Sequence, residues 1–142
     1  MFDHDAGLAR FLQRAPSSSR GRLGAAMAAA ALERTGVADP VADRVLRALD
    51  AGEDVTVGDR EAIRVRVEDL DEAYFDLAED VGDDESRTQE VSVLFRRARA
   101  MNALMNASAA TSSDVLLDAA YEALYALGLD STTLRVVVGL AP

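Results

Sequence analysis

Apolar residues recur every three or four positions through most of the chain, and this spacing restricts the fold more than any other feature of the sequence. The longest example lies between Thr56 and Gly82 and consists of Ile63, Val67, Leu70, Tyr74, Leu77 and Val81. In an α-helix such residues share one face, which is buried against another element. The spacing therefore predicts a helix over about residues 57–81.

Capping and turn residues divide the rest of the chain into further predicted helices. Three of them span about residues 5–15, 19–35 and 40–51. A fourth starts at residue 86, and a fifth runs from the threonine and serine cluster at residues 111–113 to Gly128. Ser86 with Gln89, and Thr56 with Asp59, resemble capping boxes. Residues 132–140 are rich in β-branched side chains, which favour a strand. Because a strand there would lack a partner, we predict a short helix instead.

The length and composition predict one domain over residues 1–142. A chain of 142 residues with 49% apolar residues can bury an independent core. We therefore expect a single-domain antiparallel helical bundle of six or seven helices. The alanine-rich segment 23–32 imitates the apolar part of a secretory signal, but it is too short to span a bilayer and continues directly into charged residues. We expect it to form a central helix with closely packed neighbours, in a cytoplasmic protein without a membrane segment.

Several kinds of chemistry are excluded by residue types that the sequence lacks. There is no cysteine and no lysine, since all fifteen basic residues are arginines. Disulfides, thiolate sites, Schiff bases and lysine-containing phosphate loops are therefore ruled out. The single histidine, His4, lies near the N-terminus, and no hydrolase or EF-hand motif is present. We expect no cofactor, no bound metal and no enzymatic activity.

Charge is distributed unevenly. Residues 68–90 contain eleven acidic residues and only Arg87, so this segment carries a net charge of −10, equal to that of the whole chain. Within it Asp69, Glu72, Asp76, Glu79 and Asp83 recur at helical spacing opposite the apolar stripe. Like charges so placed repel one another by a few tenths of a kcal/mol, roughly, for each pair. The segment therefore lowers the stability of the fold unless another interaction compensates.

Three interpretations of the acidic segment remain open. It is a solvated face that supplies solubility, a docking surface for a basic protein, or a carboxylate metal site. The docking interpretation, which we favour over the metal site, predicts partner-binding roles for Asp69, Glu72, Asp76, Glu79, Asp80, Asp83 and Asp84. The net charge opposes direct nucleic-acid binding. Arg96, Arg97 and Arg99 form a small basic patch that we expect to pair with acids of the same fold. A homo-oligomer is compatible with the sequence.

One short pattern occurs twice. LDEAYFDL at residues 70–77 and LDAAYEAL at residues 117–124 share five identical positions. An internal repeat of two helical hairpins would explain the similarity, as would two helices that independently follow the same core-facing pattern. The second explanation is favoured, because the helices that precede the two copies do not align. In both copies we expect the two leucines, together with either the tyrosine or the alanine before it, to face the core.

The C-terminal half carries a family resemblance. FRRARAMNALMNASA at residues 95–109, followed by LLDAAYEALYALGLD at residues 116–130, resembles the closing helices of a group of small all-helical bacterial proteins of uncharacterised function. Some members are presumed immunity proteins of polymorphic toxin systems. The resemblance covers about residues 86–130 and carries no diagnostic catalytic residue. It implies a cytoplasmic protein that binds and neutralises a toxin. An uncharacterised scaffold or accessory subunit that binds through an apolar surface is the alternative.

Overall fold

The computed structural model describes residues 4–80, 84–110 and 112–142, and all regular structure in these ranges is helical. In chain order the helices are α1 (Ala6–Gln13), α2 (Ser17–Thr35), α3 (Pro40–Asp50), α4 (Val57–Asp80), α5 (Glu85–Ser108), α6 (Ser113–Ala126) and α7 (Ser131–Val137). The prediction of an all-α bundle with six or seven helices is confirmed. Residues 131–137, near the C-terminus, form a helix, as predicted for residues 132–140 in preference to a strand.

Neighbouring long helices run antiparallel, as the pairing of their side chains shows. Asp71 of α4 contacts Arg99 of α5, and one turn further along α4 the ring of Tyr74 lies 5.6 Å from that of Phe95. Arg99 in turn contacts Glu122 of α6. Residue numbers rise along one helix as they fall along its partner, so α4, α5 and α6 form an up-down-up arrangement.

Side-chain caps account for most of the helix starts. Asp5 accepts a hydrogen bond from the Leu8 N–H at 3.0 Å, Asp39 from the Val41 N–H at 2.8 Å, and Asp130 from the Thr133 N–H at 3.1 Å. Such caps satisfy amide groups that have no partner inside the helix. At the other ends, Gly36 follows α2 and Gly128 follows α6, and both adopt the left-handed conformation typical of helix C-termini, with φ of 72° and 65°.

The starts of α5 and α2, and the cap of α4, differ from the prediction. α5 is capped by Asp84 rather than Ser86: the Asp84 carboxylate accepts from the backbone N–H of Ser86 and of Arg87. A carboxylate at this position also interacts favourably with the helix dipole, and this displaces the start toward the N-terminus. α2 begins at Ser17 instead of residue 19. At the α4 start the Thr56 hydroxyl accepts from the Asp59 N–H at 3.1 Å as predicted, but the Asp59 carboxylate pairs with Arg44 rather than completing a capping box.

The alanine-rich helix lies at the centre of the fold, as predicted. α2 packs against α3, α5, α6 and α7, and Met27, Ala28 and Ala31 are fully buried. The backbones of α2 and α5 approach each other closely at Gly24, where a Cβ atom would lie 2.8 Å from the Cβ of Ala107 on α5. Small side chains on both helices therefore set the distance between them.

The α4–α5 hairpin extends beyond this core. Ile63 and Val67 of α4 are buried, but Leu70, Tyr74 and Leu77, the next residues of the predicted stripe, are only half-buried. On α5 the buried residues begin at Ala98. The predicted stripe is thus less buried toward its C-terminal end. The ion pairs that join α4 to Arg44 and to Asp39 lie nearer its N-terminal end, at Asp59 and Arg66. Val81 and Gly82 lie outside the described residues.

Within the described ranges, no helix is both long enough and apolar enough to cross a membrane.

Candidate functional site

Four predicted partner-binding acids project from one side of α4. Asp69, Glu72, Asp76 and Glu79 are all exposed, and we call this set the acidic row. At 1.5 Å per residue the acidic row extends about 15 Å along the helix. α4 has no basic residue in its last turn, where a positive charge would offset the negative end of the helix dipole. Both the spacing and the position of these acids therefore oppose helix stability.

Acids elsewhere in the described part of the chain commonly have arginine partners. Asp5 pairs with Arg135, Asp59 with Arg44, and Asp130 with Arg34, at 2.8–3.3 Å. Further pairs join Arg66 with Asp39, Arg64 with Glu61 and with Glu68, and Arg99 with Asp71 and with Glu122. None of the eight ion pairs among the described residues involves a member of the acidic row. Eight other acids in the described ranges have such partners, whereas the row is a negative surface without an ion pair.

The remaining predicted acids have different environments. Asp80 is exposed in the last turn of α4, and its backbone carbonyl accepts a hydrogen bond from Arg87 at 3.3 Å. Asp84 is exposed but already accepts two backbone hydrogen bonds as the cap of α5. Asp83 lies outside the described residues. A docking role for Asp80, Asp83 and Asp84 stays a prediction, and for Asp84 it competes with capping.

The N-terminal end of the acidic row lies near positive charge. Asp69 lines a groove of about 370 Å³ together with Arg66, Arg97 and Met101. Arg97 also donates a hydrogen bond to the backbone carbonyl of Thr35 at 3.1 Å. Asp69 thus shares a groove with two arginines, one of which, Arg66, is already paired with Asp39.

The three predicted basic-patch residues divide into separate roles. Arg99 pairs with two acids of the same fold as expected, whereas Arg97 hydrogen-bonds to backbone. For Arg96, no ion pair forms within the described parts of the chain. The three side chains therefore do not act as one basic surface.

Arg99 links three helices through two carboxylates and an aromatic ring. Its Nη2 donates to Asp71 on α4 at 3.0 Å and its Nη1 donates to Glu122 on α6 at 2.9 Å. The guanidinium carbon lies 5.7 Å from the centre of the Phe95 ring. Partial burial raises the pKa of Glu122, and Arg99 offsets this effect only in part. The contacts of Arg99 join α4, α5 and α6, so the raised pKa of Glu122 has a structural explanation.

The shifted pKa of Asp39 also has a structural cause. Partial burial alone would raise the pKa of Asp39, but hydrogen bonds from Arg66 and from the backbone of Val41 and Ala42 outweigh burial and lower it. Both pKa shifts follow from interactions that hold helices together. They give no indication of a catalytic acid or base.

Five aromatic rings on α4, α5 and α6 form a chain of neighbouring rings. The sequence analysis did not predict this chain. Successive ring centres lie 5.1 Å apart for Phe75 and Tyr74, 5.6 Å for Tyr74 and Phe95, 6.5 Å for Phe95 and Tyr125, and 4.9 Å for Tyr125 and Tyr121. Phe75 is the most accessible of the large aromatic residues described, with 60% of its surface exposed. Its position outside the apolar stripe of α4 is the sequence signal that would have identified it.

The two copies of the repeated pattern have different environments. In the first copy Leu70, Tyr74 and Leu77 are all half-buried. In the second copy Leu124 and Ala120 are fully buried and Tyr121 is 38% exposed, so the alanine rather than the tyrosine faces the core. α6 buries Leu116, Ala120 and Ala123 instead, which turns Tyr121 toward solvent. The two copies therefore share a sequence pattern but not the same pattern of burial.

The described residues contain no cluster of three or more acidic, histidine or cysteine side chains arranged to hold a metal ion. Within the same ranges no polar or charged residue is fully buried. His4 is exposed and lies edge-on to Tyr125 with ring centres 6.4 Å apart. The acidic row and the neighbouring aromatic rings are thus the most distinctive described surface.

Comparison with protein-family models, with curated proteins and with solved structures finds no match to this chain.

Proposed function

We propose that this chain is a non-catalytic binding module that binds a basic protein through the acidic row. Within that class we propose an immunity-type inhibitor, a cytoplasmic protein that neutralises a toxin domain by covering its basic surface. The observation that supports the proposal is the concentration of exposed acids on one side of a single helix. Asp69, Glu72, Asp76 and Glu79 follow one another at helical spacing on α4, are exposed, and form no ion pair with any described residue.

The cost of the acidic row strengthens this argument. Its members repel one another at helical spacing, and those near the end of α4 also oppose the helix dipole. An interspersed arginine would remove much of this cost, and the chain uses arginine in that way at Arg64, between Glu61 and Glu68 on the same helix. A concentrated negative field accelerates association with a basic partner and disfavours acidic ones. Binding thus supplies a reason for a feature that destabilises the free protein.

The experiment begins with capture of the partner from the source cell or from its toxin-producing relatives. Association rates are then measured by surface plasmon resonance at two salt concentrations for the wild type and for the variant Asp69→Asn, Glu72→Gln, Asp76→Asn, Glu79→Gln. We expect the variant to associate more slowly and to lose most of the salt dependence. Exposed charges are screened over about 8–10 Å at physiological ionic strength, so added salt should slow the wild type far more.

A matched control separates local charge from net charge. Glu33, Asp50, Glu53 and Asp54 are exposed, lie outside α4, and form no ion pair with any described residue. Their replacement by Gln, Asn, Gln and Asn gives the same number and kind of substitutions and the same change in net charge. The control should retain wild-type rates. Equal rates and equal salt slopes for all three proteins would refute the proposal.

A second candidate function is supported by apolar surface on the same hairpin. Val93 is 44% exposed and lines a groove of about 470 Å³ with Leu77 and Leu94, between α4 and α5. This groove suits a scaffold or accessory subunit that binds through apolar contacts. Binding that is insensitive to salt, unaffected by the acidic-row variant and weakened by Val93→Ser would favour this candidate over the first.

A further inference from the structure

The described part of the molecule contains an arginine-binding arrangement, and its own Arg99 occupies it. The components are an aromatic ring, Phe95, and two carboxylates, those of Asp71 and Glu122, which lie 3.0 and 2.9 Å from the guanidinium nitrogens. The guanidinium lies over the ring and donates to both carboxylates through its Nη groups, a planar geometry that the compact lysine ammonium does not match. These groups hold Arg99 in place, although its Nε has no hydrogen-bond partner among the described residues.

The same types of group occur together a second time, without an arginine. Phe75 lies on α4 with Glu72 three residues before it and Glu79 four residues after it, so both carboxylates flank the ring on one helix face. All three side chains are exposed, and neither glutamate forms an ion pair with a described residue. The ring touches Tyr74 edge-on and leaves 60% of the residue accessible. Ring and carboxylates are thus present, and the cation is not supplied by the described chain.

A solvated helix face explains the glutamates but does not explain the phenylalanine between them. Single exposed apolar residues are common on protein surfaces. Phe75, however, ends a continuous chain of five aromatic rings, and aromatic residues and arginine are enriched at the centres of protein interfaces. An aromatic ring beside uncompensated carboxylates has the composition of an interface anchor.

We propose that Phe75, Glu72 and Glu79 form a receptor for an arginine side chain of a basic protein partner. This inference rests on the proposed function and deepens it, because it specifies the chemistry of the partner residue at the acidic row. Two other occupants are disfavoured by charge. A nucleic acid would bring phosphates to carboxylates, and a second copy of this chain would bring another net charge of −10 to the same field.

The test uses two synthetic probes and the whole protein. One probe is a short alanine-rich helical peptide that carries arginines, and the other has lysine at the same positions. Each is titrated into isotope-labelled protein while the ring resonances of Phe75 and the backbone amides of α4 are followed by NMR. We expect the arginine peptide to shift the Phe75 ring and to bind more tightly than the lysine peptide.

Phe75→Leu is the decisive variant, because it keeps an apolar side chain and every charge. An exposed cation–π contact corresponds to about a twofold to fivefold change in affinity. Phe75→Leu should therefore weaken the arginine peptide by about that factor and the lysine peptide less. The pair Glu72→Gln and Glu79→Gln should weaken both peptides more than the matched pair Glu33→Gln and Glu53→Gln. Circular dichroism of each variant checks that the fold is intact.

The outcomes separate this inference from the proposed function. Salt-dependent binding of both peptides, with no preference for arginine and no effect of Phe75→Leu, would overturn the inference and leave a generic acidic docking face. A Phe75-dependent preference for arginine would support the inference even if the captured partner bound the acidic-row variant as fast as the wild type. Sedimentation equilibrium provides a third outcome. A dimer that Phe75→Leu dissociates would assign this face to a second copy of the chain and overturn the proposal.

Discussion

At position 24 the chain has no room for a side chain, because a Cβ there would lie 2.8 Å from the Ala107 Cβ and 3.2 Å from its Cα. Alanine is favoured over glycine inside a helix by about 0.5–1 kcal/mol. Overpacking a close contact costs about 1–3 kcal/mol, and here the opposing atoms belong to a short side chain and to backbone, which cannot rotate away. We therefore expect Gly24→Ala to lower the free energy of unfolding by about 1 kcal/mol or more in urea denaturation.

Gly21 provides the control at the same scale, since it lies one turn earlier in α2. A Cβ at Gly21 would meet Leu49 at 3.6 Å, an ordinary van der Waals contact. Gly21→Ala should therefore keep the helix-propensity gain and raise the free energy of unfolding by up to about 1 kcal/mol. If both substitutions stabilise the protein equally, the close α2–α5 contact does not limit packing.

At the scale of elements, the α4–α5 hairpin should open locally before the rest of the bundle unfolds. The described residues 68–80 and 84–97 contain no fully buried side chain, whereas residues 98–107 of α5 include six. Segments with few buried contacts open at a lower free energy than the core. In native-state hydrogen exchange we expect amides of residues 70–80 and 86–95 to exchange faster than those of residues 99–107.

The comparison within α5 controls for helix type and length, because both groups of amides belong to one continuous helix. Protection in α6, whose buried residues are distributed along most of its length, should resemble that of residues 99–107. Uniform protection along α5 would show that the hairpin unfolds together with the core. A partner that binds the acidic row should selectively slow exchange in residues 70–80.

For the whole molecule, the concentration of charge in one segment should make stability depend on salt. The net charge is −10, and residues 68–90 account for all of it. Repulsion of a few tenths of a kcal/mol for each of three neighbouring pairs in the acidic row adds up to roughly 1 kcal/mol. The acidic-row variant should therefore be as stable as the wild type or slightly more stable in low salt, as measured by thermal unfolding. Added salt should raise the stability of the wild type more than that of the variant.

The Glu33, Asp50, Glu53 and Asp54 control variant again distinguishes position from total charge. It should keep most of the salt dependence of the wild type, because the acidic row is unchanged. If both variants lose the salt dependence equally, net charge rather than the local spacing of the row governs stability. Marked destabilisation of the acidic-row variant would instead mean that these carboxylates make stabilising contacts within the fold.

Local rules written in the sequence were sufficient for the fold class and for most helix bounds. The three- and four-residue spacing of apolar side chains predicted the helices, and Asp39, Gly36 and Gly128 marked helix ends at the positions where the structure has them. These interactions join residues close in the chain, so sequence alone specifies them. The exposure of the acidic row followed equally from its place opposite the apolar stripe of one helix.

What depended on contacts between distant residues was decided only in the tertiary structure. Leu77 and Tyr121 both fit a core-facing pattern, yet one is half-buried and the other exposed, because burial depends on which helices cover each face. The partner of Arg99 and the exposure of Phe75 likewise follow from the packing of α4, α5 and α6. Periodicity determines which side of a helix a residue occupies. Whether another helix covers that side is a property of the assembled bundle.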